Sequence, residues 1–314
     1  MIKKTVCGLL FAGICFAAYS AESLAQFFSP YADAYLYFTN RNMERKVDPG
    51  LWNRIEKDKK EAAAQNDGDQ EDTDDILAVL LNTFHDRDAT AIVNVYVLSV
   101  EKQEIVLEGV VELSGNPTAD LEAVRKKNGR LTKAKSDSQT VFEYKDEEGI
   151  GLKIIIASSN TIHFRLDLNY DNPLPFVAFK PYKDPAKLPN LNLQEQLFVL
   201  NIHPDSIARL MSSVQDLDLK NVMRGISNLF LSGRLDGKLL KLSATAECLD
   251  EQKAQDFSLQ VNRASEEVLP HSPLKFFFTN MKSSSSGKTV RMEMEMDMEE
   301  SWGAMKSLTS EHED

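Results

Sequence analysis

Cysteine is scarce in this sequence, and so are histidine and basic charge. Three cysteines occur among 314 residues, and two of them, Cys7 and Cys15, lie within the first 25 positions. Neither follows a small residue, which lipid attachment to a cysteine would require, so a lipoprotein is not predicted. Apart from these first 25 positions, Cys248 is the only cysteine in the sequence, so no intramolecular disulfide can form there. Because Cys248 alternates with apolar residues and has acidic neighbours, we expect a buried structural thiol.

Basic side chains are outnumbered by acidic ones. The chain has 36 lysines and arginines against 48 aspartates and glutamates, which gives a formal net charge of −12. An acidic chain without a basic stripe is repelled by nucleic acid and by anionic lipid. We therefore predict no nucleic-acid partner, while a basic protein partner remains compatible with this charge.

Motifs that carry chemistry are also missing. The five histidines lack the spacing of zinc sites, and no nucleophile elbow, Walker loop or dinucleotide fingerprint occurs. The acidic run over 67–75 fails as a calcium loop, because its glycine and its closing position are out of register. We predict no cofactor and no catalytic residue, and we favour a non-enzyme over an enzyme.

The beginning of the chain carries a secretory pattern. Two lysines within the first four residues precede an apolar stretch, Thr5–Tyr19, and small residues follow. This order is typical of a cleavable signal peptide, which we assign to residues 1–25. Cleavage after Ser20 and cleavage after Ala25 both satisfy the small-x-small rule. We expect an exported protein, periplasmic or extracellular, with no integral membrane segment after cleavage; an uncleaved N-terminal anchor is the alternative.

Short alternating apolar runs separated by brief helical patterns predict an α+β fold. The order of a strand, a paired-strand unit, a helix and further strands occurs twice along the chain. In the second copy, Asp236-Gly237 between two apolar runs is a strong hairpin signal. Strands joined by hairpins indicate mainly antiparallel sheets with helices packed on one face. We therefore predict two similar domains that arose by internal duplication.

Composition sets the predicted domain boundaries. The first domain covers 26–170, the second covers 195–308, and 309–314 is an acidic tail. Between the domains, 171–194 carries five of the eleven prolines, which predicts an extended, semi-rigid linker. Residues 57–75 are strongly acidic and nearly free of apolar side chains, so we predict a disordered loop there.

Local patterns predict several elements in more detail. A helix is expected over Asn116–Lys127 with Thr118 as its N-cap. A second helix is expected over Glu251–Asn262, where apolar residues recur at helical spacing. The polar run Ser283–Lys288 lies between two strand patterns and is expected to be a flexible hairpin turn.

The most unusual stretch alternates methionine with acidic residues. On a strand, Met292, Met294, Met296 and Met298 share one face while the acids share the other. Thioethers select soft ions such as Cu(I), which makes these four methionines candidate soft-metal ligands. We favour a different interpretation, in which they fill core space beneath a packed helix.

Aromatic residues in the linker are the last candidates for a site. Phe176, Phe179 and Tyr182 lie on a segment predicted to be extended, and aromatic side chains in such positions can anchor a partner. They are our candidate partner-binding residues. The alternative that we favour is that such residues pin their segment onto its own domain.

These observations together predict a non-enzymatic binding or assembly component of the cell envelope. Its partner would be another envelope protein or a second copy of the chain. A carrier of a small amphiphile or lipid, bound between sheet and helices, is one alternative. A hydrolase without a recognised motif is the other.

Overall fold

The chain divides by its internal contacts into two units. Unit 1 consists of Met1–Asn42 and Lys59–Gln194, and unit 2 consists of Met43–Asp58 and Glu195–Asp314. The computed structural model describes residues 24–40, 47–51, 53–54, 57, 88–102, 104–127, 129–136, 139–145, 150–169, 179–186, 193, 195–203, 206, 224–263, 265–266 and 279–300. The predicted disordered loop at 57–75 lies outside these residues except for Lys57.

Unit 1 contains seven of the described strands. They lie in the order β1-β2-β3-β7-β6-β5-β4, and every neighbouring pair is antiparallel. Their bounds are β1 Ala34–Thr39, β2 Ala89–Ser99, β3 Glu104–Leu113, β4 Thr132–Ser136, β5 Gln139–Lys145, β6 Ile150–Ile156 and β7 Thr161–Leu168. Strand β4 was not predicted from the sequence, because its residues are polar or small and its described side chains are exposed.

One helix, α1 (Pro117–Lys127), packs on one face of this sheet. Its Leu121 and Val124 belong to a buried apolar cluster with residues of β5, β6 and β7. Asn116, rather than the predicted Thr118, caps the helix, because its side-chain oxygen accepts from the Ala119 N–H at 3.2 Å. Proline at the first helical position is compatible with this start, since that position needs no intrahelical N–H bond.

Unit 2 contains the five remaining described strands. They lie in the order β8-β9-β10-β12-β11, again with antiparallel neighbours throughout. Their bounds are β8 Phe198–Ile202, β9 Ile226–Asp236, β10 Leu239–Cys248, β11 Thr279–Ser286 and β12 Thr289–Asp297.

A second helix, α2 (Glu251–Arg263), follows β10 directly. The Asp250 carboxylate accepts from the Lys253 N–H at 2.8 Å, which satisfies one of the unpaired donors at the helix start. Ala254 is fully buried and packs in a cluster with Cys248 and Met292. Helical spacing predicted this inward face, and the structure confirms it.

Residues 47–51 lie with unit 2, whereas the predicted first domain included them. Val47 and Leu51 are buried against Leu197, Leu235 and Leu240. The segment is also tied to the β9–β10 hairpin, since the Asp48 N–H donates to the carbonyl of Gly237 at 3.2 Å. The unit boundary after Gln194 falls where the proline-rich segment ends.

Two-residue turns join β9 to β10 and β11 to β12 in unit 2. Gly237, with φ of 64°, begins the turn between β9 and β10, which confirms the predicted hairpin. The prediction for Ser283–Lys288 was wrong in extent: Ser283–Ser286 belong to β11, and the turn is Gly287-Lys288 alone. The serines pair along β12, so they form a strand in spite of their weak strand propensity.

The fold is therefore α+β and dominated by antiparallel sheet, as the sequence predicted. In each unit the described long helix packs on one sheet face. That the two units are similar domains that arose by duplication stays a prediction.

Candidate functional site

Charged and polar side chains of unit 1 gather on the sheet face opposite α1. The even-numbered residues of β7, from Ile162 to Leu166, lie in the core beneath the helix. Since successive side chains of a strand alternate, the odd-numbered residues point to the other face. We call this surface the unit 1 polar face, formed by Asn94 and Tyr96 of β2, Glu108 of β3, and His163, Arg165 and Asp167 of β7.

A buried guanidinium group bridges two carboxylates at the centre of the unit 1 polar face. Arg165 Nη1 lies 3.2 Å from Glu108 Oε1, and Arg165 Nε lies 2.8 Å from Asp167 Oδ1. Burial raises the pKa of Glu108; the charge of Arg165 opposes this rise, and the charge of Asp167 adds to it. The pairing offsets part of the cost of removing these charges from water.

His163 is buried beside two phenylalanine rings. The Phe179 N–H donates to His163 Nδ1 at 2.8 Å, so this nitrogen carries no proton. The Phe179 ring stacks on the imidazole with centroids 5.4 Å apart, and the Phe27 ring meets it edge-on at 5.7 Å. Burial lowers the pKa of His163 to about 4. The histidine is therefore neutral near pH 7 and acts as an acceptor and a stacking surface.

Two segments of the chain itself cover the unit 1 polar face. We call residues 24–31 the N-terminal strap and residues 179–186 the linker strap. Asn94 holds the first one: its amide nitrogen donates to the Phe27 carbonyl at 3.0 Å, and its amide oxygen accepts from the Ser29 N–H at 2.8 Å. A buried side-chain amide thus pairs with the strap backbone as a neighbouring strand would.

The two straps are joined to each other by backbone hydrogen bonds. The Tyr182 N–H donates to the Gln26 carbonyl at 2.8 Å, and the Ala186 N–H donates to the Phe28 carbonyl at 3.1 Å. Beneath them, burial raises the pKa of Tyr96 far above its usual value; the Ser29 hydroxyl opposes this rise and the Tyr182 hydroxyl adds to it. The straps therefore exclude water from the polar groups below.

The contacts of the unit 1 polar face define what it can do. Asn94 and His163 pair with backbone N–H and C=O groups, and the imidazole stacks on an aromatic ring. These are contacts with polypeptide. The geometry is that of a surface that holds peptide segments, and the two segments it holds belong to the same chain.

The structure places the predicted aromatic candidates within this arrangement. Phe179 and Tyr182 are half-buried on the linker strap, where they contact His163 and Tyr96. Phe176 lies outside the described residues. The two described aromatics therefore hold the linker segment against its own unit.

Three of the four candidate methionines, Met292, Met294 and Met296, lie on the core face of β12. Met298 begins the helical segment after the strand, whereas the prediction placed all four on one strand. Met292 is buried in the cluster that contains Ala254 of α2. Met294, Met296 and Met298 pack, partly buried, against the cluster around Leu51. Across the sheet, Met294 and Met296 lie opposite Leu242 and Leu240, while Met292 lies between Ala244 and Ser283. The Cys248 thiol belongs to the cluster around Met292. Burial raises the pKa of that thiol, and the charge of Asp250 adds to the rise.

Two further observations concern the described part of the chain as a whole. Within it, no three or more His, Cys, Asp or Glu side chains form a group that could hold a metal ion. Its helices include none with both the length and the apolar character needed to cross a membrane.

Sequence reasoning missed the residues at the centre of the unit 1 polar face. Glu108, Arg165 and Asp167 lie in strand patterns whose other face is strongly apolar. Their alternation was visible, but such residues on a two-faced strand usually face water. Burial of this face depends on the straps, and the N-terminal strap lies more than 60 residues before its partner Asn94 in sequence.

The comparisons with known proteins point to a fold alone. No protein family model matches the chain, and no curated protein matches it. Crystal form III of TP0453 is similar in structure, with a TM-score of 0.51 and 14% sequence identity, over 90% of this chain and 97% of that one. Crystal form IV of TP0453 gives a TM-score of 0.48 and 15% identity, over 88% and 93% of the two chains. At this identity, the similarity to form III defines a shared sheet-dominated fold.

Proposed function

We propose that the protein is exported to the periplasm or the cell exterior and acts by binding an extended segment of another exported protein. In this proposal it catalyses no reaction of its own. One observation carries the proposal: side chains of the unit 1 polar face hold two peptide segments through hydrogen bonds to their backbone groups and through aromatic stacking. A sheet face that binds peptide internally can bind peptide from a partner when it is uncovered.

An internal duplication would give the chain a second face of this kind. Strand order supports such an origin: in unit 1, β7 returns to pair with β3 and β6 lies next to β7. In unit 2, β12 returns to pair with β10 and β11 lies next to β12. A helix follows the third strand in both units. Strands β4 and β5 have no counterpart among the described residues of unit 2.

The corresponding surface of unit 2 lies on the face of β10 and β12 opposite α2. Alternation puts Ser243 and Glu247 of β10 on this face, together with Arg291 and Glu293 of β12. All four are exposed. We call these four residues the unit 2 polar face.

The chemistry of the unit 2 polar face fits a polypeptide partner. Arg291 and Glu293 offer charges of both signs, and Ser243 lies directly across from Glu293 as a small hydroxyl neighbour. A flat surface with mixed charges and small polar groups can pair with the backbone and the side chains of an extended segment.

Site-specific crosslinking tests the proposal. A photoreactive amino acid replaces Ser243 in the full chain, and a matched variant carries it at Gln255, an exposed position of α2. After irradiation of cells that export the protein, we expect one defined protein adduct from position 243 and none from position 255. Glu293→Lys should reduce the yield of that adduct about tenfold, in line with the loss of one specific charged contact of about 1.4 kcal/mol.

Two results would count against the proposal. Equal adduct yields from positions 243 and 255, unchanged by Glu293→Lys, would show that the contacts at this face are not specific. A native mass spectrum that contains a stoichiometric apolar ligand and no protein partner would favour carriage of an amphiphile instead.

A further inference from the structure

The N-terminal strap begins with a fully buried leucine. The Leu24 side chain is 1% exposed, which puts it among the best-buried large side chains of the described residues. Leucine side chains buried to this extent make close contacts on all sides, and their loss leaves a cavity. Leu24 is therefore part of the packed interior of unit 1.

The backbone of Leu24 and Ala25 also shapes the strap. The Phe27 N–H donates to the Leu24 carbonyl at 2.9 Å, and the Phe28 N–H donates to the Ala25 carbonyl at 3.2 Å. These bonds form one helical turn. The turn directs Phe28, which is 0% exposed, against the ring of Tyr35 at a centroid distance of 4.6 Å.

The rest of the strap depends on this turn. Immediately after it, Phe27 and Ser29 pair with the amide of Asn94. Removal of Leu24 and Ala25 would take away both carbonyl acceptors of the turn, leaving two N–H groups without these bonds. It would also empty the volume that Leu24 fills.

The sequence offers two bonds that a signal peptidase could cut, after Ser20 or after Ala25. The peptidase reads an unfolded chain, so the folded structure does not direct the cut. The two products nevertheless differ in the fold that each can complete. Only cleavage after Ser20 leaves Leu24 in place. We infer that export, as proposed above, removes residues 1–20, and that the mature protein begins at Ala21 and keeps Leu24 as a core residue. The inference rests on the proposed export.

The mass of the exported protein tests the inference directly. The full-length precursor is expressed with a C-terminal tag, and the exported fraction is analysed by intact mass and N-terminal sequencing. A chain that begins at Ala21 supports the inference. A chain that begins at Gln26 overturns it and leaves the export proposal intact. An unprocessed chain confined to the cytoplasm overturns the export proposal and the inference together.

Variants at the two bonds give an independent readout. A bulky residue at the position before the cut blocks signal peptidases, so Ser20→Phe should cause unprocessed precursor to accumulate. The matched variant Ala25→Phe should be processed at the wild-type rate. The opposite pattern would overturn the inference.

A stability measurement shows whether Leu24 contributes as argued. In the mature chain, Leu24→Ala should lower the melting temperature by about 5 °C, because a buried leucine is truncated. The control Gln26→Ala changes an exposed side chain and should leave the melting temperature unchanged. Equal melting temperatures for both variants would contradict the role of Leu24 in the core.

Discussion

The two polar faces of this protein differ in the solvent exposure of their charged side chains. In unit 1, Arg165 and Asp167 are each 4% exposed and lie beneath two straps of the same chain. In unit 2, Arg291 and Glu293 occupy the strand that takes the place of β7 in the strand order, and both are exposed. The described strands therefore carry one buried and one exposed ionic surface.

The difference follows from the cost of taking a charge out of water. A buried guanidinium group is tolerated when carboxylates and hydrogen bonds surround it, and Arg165 has Glu108 and Asp167 as such partners. Arg291 is hydrated, so the fold does not depend on a partner for it. We infer that covering a polar face requires a set of paired groups, whereas leaving it exposed imposes no such demand.

The largest expected effect comes from breaking the buried network. Arg165→Met leaves the buried Asp167 and the half-buried Glu108 without their cation, and we expect a loss of about 3–5 kcal/mol in the free energy of unfolding. Urea denaturation at pH 7 measures this loss. The matched change Arg291→Met on the unit 2 polar face should alter the same quantity by less than about 0.5 kcal/mol. Similar losses for both variants would remove the contrast between the two faces.

A glycine of each unit, on the sheet face opposite the polar one, offers a second contrast. A β-carbon added at Gly109 would lie 2.4 Å from the Ile92 carbonyl oxygen, which belongs to the backbone. At Gly233 the close contacts, beginning at 2.3 Å, are all with the Phe198 ring, which can move. We expect a loss of about 2–3 kcal/mol in unfolding free energy for Gly109→Ala and about 1 kcal/mol for Gly233→Ala. Thermal unfolding of both variants, compared with the wild type, checks the order; a reversed order would show that the backbone at Gly109 yields easily.

Much of the fold could be predicted from the sequence because period-two patterns are strong on two-faced strands. The hairpin at Gly237 and the inward face of α2 are examples, since each follows from neighbouring residues alone. Strand β4 could not be found in this way, because Thr132–Ser136 carries no apolar alternation and is held by its pairing with β5. Pairing with a distant partner is invisible to local propensity.

The candidate site was less accessible to sequence reasoning. Aromatic residues on the linker suggested that it packs against something, and Phe179 does pack on His163. The position of Arg165 between two carboxylates could not be inferred, because it depends on the register between β3 and β7. A charge on a two-faced strand is normally hydrated, and its burial here depends in part on the N-terminal strap, whose contacts with Asn94 span more than 60 residues in sequence.

An acid titration should reveal the burial of His163 on the unit 1 polar face. The pKa of His163 in the fold is about 4, below its ordinary value of 6.5. The unfolded chain therefore binds a proton first as the pH falls, and stability is lost between pH 6.5 and 4. Allowing for the solvent that reaches the ring, we expect His163 to account for about 1–2 kcal/mol of this loss.

The variant His163→Asn isolates this contribution, because its side chain can accept from the Phe179 N–H but does not titrate. Glu108 acts in the opposite direction, since its raised pKa favours the fold at low pH. The informative quantity is thus the difference between wild type and variant, measured by urea denaturation at pH 7, 5 and 4. A difference that stays constant over this range would contradict the burial of a neutral histidine.

The smallest expected effect concerns the linker strap alone. Phe179→Ala removes the ring that stacks on His163, which should cost about 1 kcal/mol of unfolding free energy. The more specific readout is hydrogen exchange at the Tyr182 and Ala186 amides, whose acceptors lie on the N-terminal strap. We expect both amides to exchange faster while those of β7 keep their protection, because the strap opens without unfolding the sheet. Tyr31→Ala is the control on the other strap, since that side chain is 83% exposed. Unchanged exchange at both amides in Phe179→Ala would mean that the stacked ring does not hold the linker strap in place, and that the hydrogen bonds of the strap keep it there without the ring.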